Sequence, residues 1–572
     1  MFRVFRKRNL IIVTFIIGLM LVFALTTIAY ANYQNYFLEG YNHGATFQGN
    51  IKTTIDNFLA ELDSQEYSID ELRARANEIE NLYMEIIPEK IDWMKGVADS
   101  TLIDYNDILL FNCFDKLTSS TTECTSFLAQ GEATKDEVTI IAKNRDLGAD
   151  SINCVELHEH RYPGEISYQA AYIDIPQVEE TYKFIGTKSV GRWGFGQGIN
   201  EFQVSIIDND AGSMDELSYT KGLHDNDYIR LALERSETAR EAVDVIGELT
   251  EKYGQAWNGI DFTIGDPNEV WLMEVTGYQW VAKKYTDTVM AIANQFQLTD
   301  NYDLASKNLI SYALEQGWIE KEVPKINFRE VYGAKDLYPG PDDKKAQKWP
   351  IYTSQIRQER AMELLNGKIG KLTERDIISF LQDHYDKVKL EDGTEVDMHQ
   401  IPYYSTGFEK IGQSFIRAIC HHDIKGKTCS SSVMVSRPGT PNELGIMWTS
   451  LGQPCLSIYV PFYVGVNSIA EGFTNAKDVS KFYLIRDYAF GEYKKYQPVI
   501  RGIFDSGQKT NYFLEPLIRQ EAIEDFKAGN ADVVKQELTN FCYERAIEAL
   551  HEADVVLGEM TEATVKSQSW SR

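Results

Sequence analysis

Positive charge is in short supply in this chain: 57 Lys and Arg stand against 85 Asp and Glu, for a formal net charge of −28. A field of that sign repels phosphate backbones, which excludes nucleic acid as a partner. Internal repeats and low-complexity tracts are missing. With 43% hydrophobic and 12% aromatic residues the composition is neither disordered nor collagen-like, so the chain folds around one large core or two. There is no GxSxG elbow, which removes support for a serine hydrolase of that design. Gly194, Gly196 and Gly198 in GFGQGIN lack dinucleotide-loop spacing and precede no capped helix, so they read as a turn or a substrate loop. The pairs His158 with His160 and His421 with His422 lack HExxH spacing, and the seven cysteines show no zinc pattern. These histidines read as solvated or structural, and no metal is expected.

What is present begins at the N-terminus. Arg3, Arg6, Lys7 and Arg8 precede IIVTFIIGLMLVFALTTIAYA, an uncharged run of about twenty residues, long enough to cross a bilayer as a helix. The run ends in Ala29, Tyr30 and Ala31, which fits a small-x-small cleavage site. Residues 1–31 therefore read as a signal peptide or a membrane anchor, with the chain from Asn32 onward outside the cytoplasm. That compartment permits disulfides. Cys420 and Cys429 are near enough in sequence to bridge a hairpin, although spacing does not fix the pairing.

Residues 32 to about 117 carry apolar residues at three- and four-residue steps, which predicts helices, one of them opening at Pro88. From Phe127 short strand-like runs take over: VTIIAKN, YQAAYIDI, FQVSIID and DFTIGD. One packing helix is predicted between them, with Thr238 and Glu241 as a capping box and Gly254 at its end. Pro267 and Asn268 predict a turn joining two strands. After about residue 475 the pattern is helical again. The pattern by itself gives mixed helix and strand, with 32–123 a helical leader, 124–475 a sheet-rich body and 476–572 a helical extension.

The stretch TTECTSFLAQ sets Cys124 in a polar approach just before the first strand. A thiol needs a base, and no histidine lies near it in sequence. Cutting the peptide bond between Glu123 and Cys124 would supply one, because the new α-amine has a reference pKa of about 7.7–8.0. The alternative is an inert or disulfide-bonded cysteine at a strand start.

Further residues favour the first reading. CTSFLAQGEATKDEVTIIAKNRD resembles the N-terminal-nucleophile hydrolases, in which Cys-Thr opens a hairpin whose second strand carries a basic residue, Asn and Asp, here Lys143, Asn144 and Asp146. GINEFQVSIID, FTIGDPNEVWLMEVTG, AIANQFQL and SLGQPCLSIYVPFYVGV extend the likeness, and together these look like the cysteine dipeptidase family of that class. IPEKIDWMKGVADSTLIDYNDILLFNCFDKL resembles the leader of related acyltransferases and phospholipase-B-like proteins. The resemblance implies an α+β fold, the αββα four-layer sandwich of N-terminal-nucleophile hydrolases, with the helical leader and C-terminal extension outside it.

By the same resemblance Cys124 is nucleophile through its sulfur and base through its amine, Asp146 holds the ammonium, and Lys143 favours the thiolate. Asn200 and Asn294 face the tetrahedral oxygen, where a lost donor costs about 2.7–4 kcal/mol. Asn144, Arg145 and Arg357 are candidates for binding substrate, Arg357 on a helix that the sequence pattern would leave solvated. The family's usual Arg-Asn-Glu-Asp is Lys143, Asn144, Arg145 and Asp146 here, which reverses a charge beside the nucleophile. The implied activity is hydrolysis of dipeptides or short peptides through an acyl thioester, without metal or organic cofactor. The alternatives are an N-acyl amide hydrolase or acyltransferase of the same class, and an anchored peptide- or envelope-binding protein without activity. The oligomeric state stays open, a homo-oligomer included.

Overall fold

The computed structural model describes residues 36–64, 68–86, 88–113, 124–148, 151–159, 180–215, 222–255, 259–334, 351–384, 387–389, 395–397, 418–422, 426–474, 476–489 and 492–569. The expected signal or anchor at 1–31 and the cleavage residue Glu123 lie outside them. No described helix is long and apolar enough to cross a membrane.

Among the described residues, those up to Cys113 belong to one compact unit. It contains α1 (Gln48–Ser64), α2 (Ile69–Ile86), α3 (Pro88–Thr101) and α4 (Tyr105–Cys113). Steps of three and four bring Ile51, Ile55, Phe58 and Leu62 to one buried stripe of α1. Pro88 opens α3, where its missing N–H costs no intrahelical bond. Arg73 of α2 reaches Asp107 of α4 at 2.8 Å.

The second unit holds the sheets. It opens with β1 (Cys124–Gln130), β2 (Thr139–Gly148), β3 (Asn153–His158), β4 (Phe184–Ser189), β5 (Gln197–Asn200) and β6 (Ser205–Ala211). Two helices follow, α5 (Asp225–Arg235) and α6 (Ala239–Tyr253), then β7 (Gly259–Gly265), β8 (Val270–Thr276), β9 (Gln279–Tyr285), β10 (Val289–Ile292) and β11 (Leu304–Ala305). The chain continues through α7 (Leu309–Glu315), α8 (Phe328–Tyr332), α9 (Ile351–Asn366), α10 (Glu374–Leu381) and a small hairpin of β12 (Lys387–Lys389) and β13 (Glu395–Asp397). It ends with β14 (Gly426–Ser436), β15 (Ile446–Leu451), β16 (Val460–Tyr463), α11 (Ala476–Ala489), α12 (Tyr493–Lys527) and α13 (Ala531–Ser569).

One antiparallel sheet runs β10-β1-β2-β14-β15-β16 and the other β11-β9-β8-β7-β6-β5-β4-β3. They stack face to face, with β1 and β2 against β6 and β7 and with β14 and β15 against β5. Helices α5 and α6 cover the longer sheet, while α9 lies on β10 and β1, and α10 on β2 and β14. This is the four-layer order that the resemblance implies. With both faces covered, every residue of β1, β7 and β8 is buried, polar residues such as Asp261 and Thr263 included, so burial does not alternate along these strands. Helices α11 to α13 pack on β15 and β16, and belong to the same compact unit as the sheets.

Local signals act where the sequence puts them, with one change. Thr238 accepts the Glu241 N–H at 3.2 Å, but the Glu241 carboxylate takes the N–H of Glu237, so the expected capping box is half formed. Gly254 ends α6 at φ 78°. Asp266 accepts from the N–H groups of Asn268 and Glu269 at 2.7 and 3.0 Å, which fixes the turn between β7 and β8. GFGQGIN is the entry to β5, and the Cβ of any other residue at Gly196 would stand 2.4 Å from Nε of Arg145. The Cys420–Cys429 bridge does not form: both are free thiols, and Cys429 donates to the Lys427 carbonyl at 3.3 Å.

Candidate active site

Cys124 is the first residue of β1, and its side chain is 6% exposed. In the uncut chain burial pushes its thiol up to about 11; Lys143 pulls the other way, and Asp146, Asp208 and Asp210 add to the rise. The Cys124 N–H donates to Oδ1 of Asn294 at 3.0 Å. Arg357, fully buried on α9, donates from Nη1 to the Cys124 carbonyl and to Thr125 Oγ1, both at 2.6 Å, and from Nη2 to Asn294 Oδ1 at 2.9 Å. The solvated helix face expected for Arg357 is corrected: α9 packs this residue against β1, where it fixes the backbone of the nucleophile. Asn294 keeps one group in reserve, because its buried Nδ2 has no hydrogen-bond partner among the described residues.

The face that Cys124 shares with its register partner Arg145 and with Ser126 and Lys143 looks toward the longer sheet. Ser126 donates to Oδ1 of Asn209 at 2.6 Å, and the buried Nδ2 of Asn209 has no hydrogen-bond partner among the described residues. Lys143 meets Asp208 at 2.7 Å, both buried. Burial works to lower the Lys143 pKa, but Asp208 and the Cys124 sulfur outweigh it and hold the ammonium charged. Arg145 donates from Nη1 to Asn153 at 2.7 Å and Ser189 at 3.0 Å, and from Nη2 to Asn226 at 2.9 Å. All three acceptors are neutral.

Two expected residues are used otherwise. Asn200 donates from Nδ2 to the carbonyls of Leu233 and Ser236 at 3.0 and 2.7 Å, and its Oδ1 accepts from Phe202 and Val204 at 3.0 and 2.9 Å. Its amide is saturated by the β5–β6 turn and the end of α5, which leaves nothing for a tetrahedral oxygen. Asn144 points to the other face of β2 and donates to the carbonyls of Leu381 and Ile419, both at 2.8 Å, so it ties backbone together instead of meeting substrate. Asp146 also lies on that face, accepting from Thr428 Oγ1 at 2.6 Å, while its charge still reaches the Cys124 thiol.

Sequence reasoning missed Asn209. The signal was available in FQVSIIDND: two residues after Ile207, on an apolar buried strand, an amide is out of place unless it has a partner across the sheets. His158 is structural, 3.2 Å from Glu234.

Known proteins resemble this chain over the same body. The model of peptidase family C69 matches residues 123–496. A probable dipeptidase of Latilactobacillus sakei is 27% identical over 388 residues, 61% of this chain and 75% of the relative. A probable dipeptidase of Salmonella dublin is 24% identical over 376 residues, 61% of this chain and 82% of the relative. Among solved structures, a mutant conjugated bile acid hydrolase of Clostridium perfringens is 12% identical, covers 57% of this chain and 89% of its own, and has a TM-score of 0.27. Penicillin V acylase of Agrobacterium tumefaciens is also 12% identical, with 59% and 86% covered and a TM-score of 0.30.

Proposed function

The chain belongs to peptidase family C69, and from that premise we propose that it is an extracytoplasmic dipeptidase whose nucleophile is Cys124, freed as an N-terminus by self-cleavage after Glu123. The observation that carries the reading is the setting of Cys124 at the start of β1. Its nitrogen is held 3.0 Å from Asn294, which follows the end of β10 beside β1, while Asn209 stands on β6 of the facing sheet, and the buried Nδ2 of each has no hydrogen-bond partner among the described residues.

Cleavage turns the buried amide nitrogen into an amine, which takes the thiol proton. The sulfur then attacks the peptide carbonyl carbon, and the negative charge that develops on oxygen is met by the Nδ2 groups of Asn294 and Asn209. The C–N bond breaks as the ammonium of Cys124 gives its proton to the departing amine. Water, deprotonated by the same amine, attacks the thioester, and the acyl group leaves as the free acid. Lys143 keeps positive charge beside the sulfur. Arg357 acts indirectly, by fixing the Cys124 carbonyl and the Asn294 amide.

Arg145 supports a substrate with a free carboxylate. Among the described residues no carboxylate pairs with it, and its three bonds leave Nε–H and one Nη2–H, the edge that takes a carboxylate side-on. A dipeptide presents that group one residue beyond the scissile bond. The test is kcat/KM for a dipeptide, its C-terminal amide and a long-chain N-acyl amide. The dipeptide is expected to be cleaved and its amide to be about ten- to a hundredfold poorer, a gap that Arg145→Gln narrows. Turnover of the N-acyl amide with none of the dipeptide would reject the reading.

A further inference from the structure

Four ligand-type side chains that the proposed reaction does not use meet behind β2. His384 follows the end of α10, Cys420 and His422 stand in the stretch 418–422, and Cys455 lies in the turn Pro454–Leu456. Their exposures are 4%, 0%, 2% and 5%, so none is a surface residue. One ligand atom from each lies within 4.8 Å of all the others. Nε2 of His422 is 3.1 Å from Nε2 of His384, 3.4 Å from the Cys420 sulfur and 3.1 Å from the Cys455 sulfur.

Hydrogen bonding does not account for this convergence. An imidazole nitrogen has either one proton or one lone pair, directed along a single line in the ring plane. It cannot serve three partners in three directions. A cation among the four atoms can, since each donor then directs its lone pair inward. Zinc bonds of about 2.3 Å to sulfur and about 2.0–2.1 Å to nitrogen place tetrahedral ligand atoms roughly 3.3–3.8 Å apart; the observed separations of 3.1, 3.4 and 3.1 Å are shorter by only a few tenths of an ångström, so a small outward shift of the side chains admits the ion.

We propose that His384, Cys420, His422 and Cys455 form a structural zinc site. Two thiolates balance the charge of the ion, which suits a buried place, and two sulfurs with two imidazoles select zinc over harder cations. Four protein ligands leave no open position, so the ion has no part in hydrolysis. Its role is to pin the stretch 418–422 to α10 and to the turn at Cys455. The Ile419 carbonyl of that stretch holds Asn144, and the His421 N–H meets Thr428, which in turn holds Asp146. The ion thus braces β2 from behind, on the strand that pairs with Cys124.

The test is metal analysis of the full chain, purified under reducing conditions without chelators. One zinc per chain is expected in the wild type and in Cys124→Ala. Cys429→Ser, whose thiol lies outside the cluster, is expected to keep it, and the double variant Cys420→Ser with Cys455→Ser to lose it. Should the double variant fail to fold, cobalt exchanged into the wild type decides: the intense visible bands and thiolate charge transfer of a tetrahedral site are expected. Wild type without stoichiometric metal after growth in zinc, a cobalt spectrum without those bands, or a Cys420–Cys455 disulfide in the peptide map overturns the proposal.

Discussion

An amide side chain in a protein interior has two donor hydrogens and an oxygen that accepts twice, and what its neighbours consume decides what remains for a substrate. Asn200 spends all four on local backbone, whereas Asn294 and Asn209 each retain an Nδ2 without a partner among the described residues. Asn294→Ala and Asn209→Ala are therefore expected to lower kcat per folded molecule by about 10²–10³, whatever stability they lose with the bonds their oxygens accept. Asn200→Ala should do the reverse, with at least about 2 kcal/mol of stability lost and kcat per folded molecule nearly unchanged. Steady-state kinetics beside urea denaturation of the same samples separates the two outcomes. At this scale the candidate nucleophile was legible, because a cysteine in a polar approach to a strand is out of place in the pattern. The division of labour among the asparagines was not, since it depends on which backbone groups lie within 3 Å after folding.

At the scale of elements, the clearest sequence signals were those carried within one element. The stripe of α6, its start at Thr238 and its end at Gly254, the opening of α3 at Pro88 and the turn at Asp266–Glu269 all follow from residues within four positions of one another. Sheet order and the covering of both sheet faces do not, because a strand such as β7, whose apolar residues alternate with Asp261 and Thr263, reads as half-solvated although both its faces are covered. The zinc ligands are an extreme case: 384, 420, 422 and 455 match no spacing rule, and only the packing of α10, the stretch 418–422 and the turn at Cys455 assembles them. Strand β5 offers a prediction. A methyl group at Gly196 would meet Nε, Cζ and Cδ of Arg145 within 2.8 Å. Gly196→Ala should push Arg145 aside and raise KM for a dipeptide more than for its C-terminal amide, with the fold retained by circular dichroism. Equal KM changes for both substrates would contradict that role of the glycine.

For the whole molecule, the balance of buried acids sets how stability responds to pH. Asp261 and Glu274 face each other across β7 and β8. Burial raises Asp261 well above the usual carboxylate range, and Glu274 and Asp210 add to it. Burial likewise pushes Glu274 up to about 8, against the hydrogen bonds it accepts from the Gln297 and Leu298 backbone. From the ordinary carboxylate range to about pH 8 the folded chain keeps protons that the unfolded chain has released. Unfolding in that window releases protons, so these acids make stability fall as pH rises, by about 1.4 kcal/mol per pH unit for each proton. Asp261→Asn, which mimics the protonated acid, should flatten the slope seen in urea titrations between pH 5 and pH 8. An unchanged slope would mean that Asp261 is ionised in the folded chain.

The central claim is that the base for the Cys124 thiol is the residue's own amine, which the uncut chain lacks. It is tested most directly by intact-mass measurement and N-terminal sequencing of the purified protein beside its Cys124→Ala variant. Wild type is expected to yield a fragment beginning Cys124-Thr125-Ser126 and to hydrolyse dipeptides, and Cys124→Ala to stay joined at Glu123 and be inactive. A wild-type chain that hydrolyses dipeptides while still uncut before Cys124 would contradict the account.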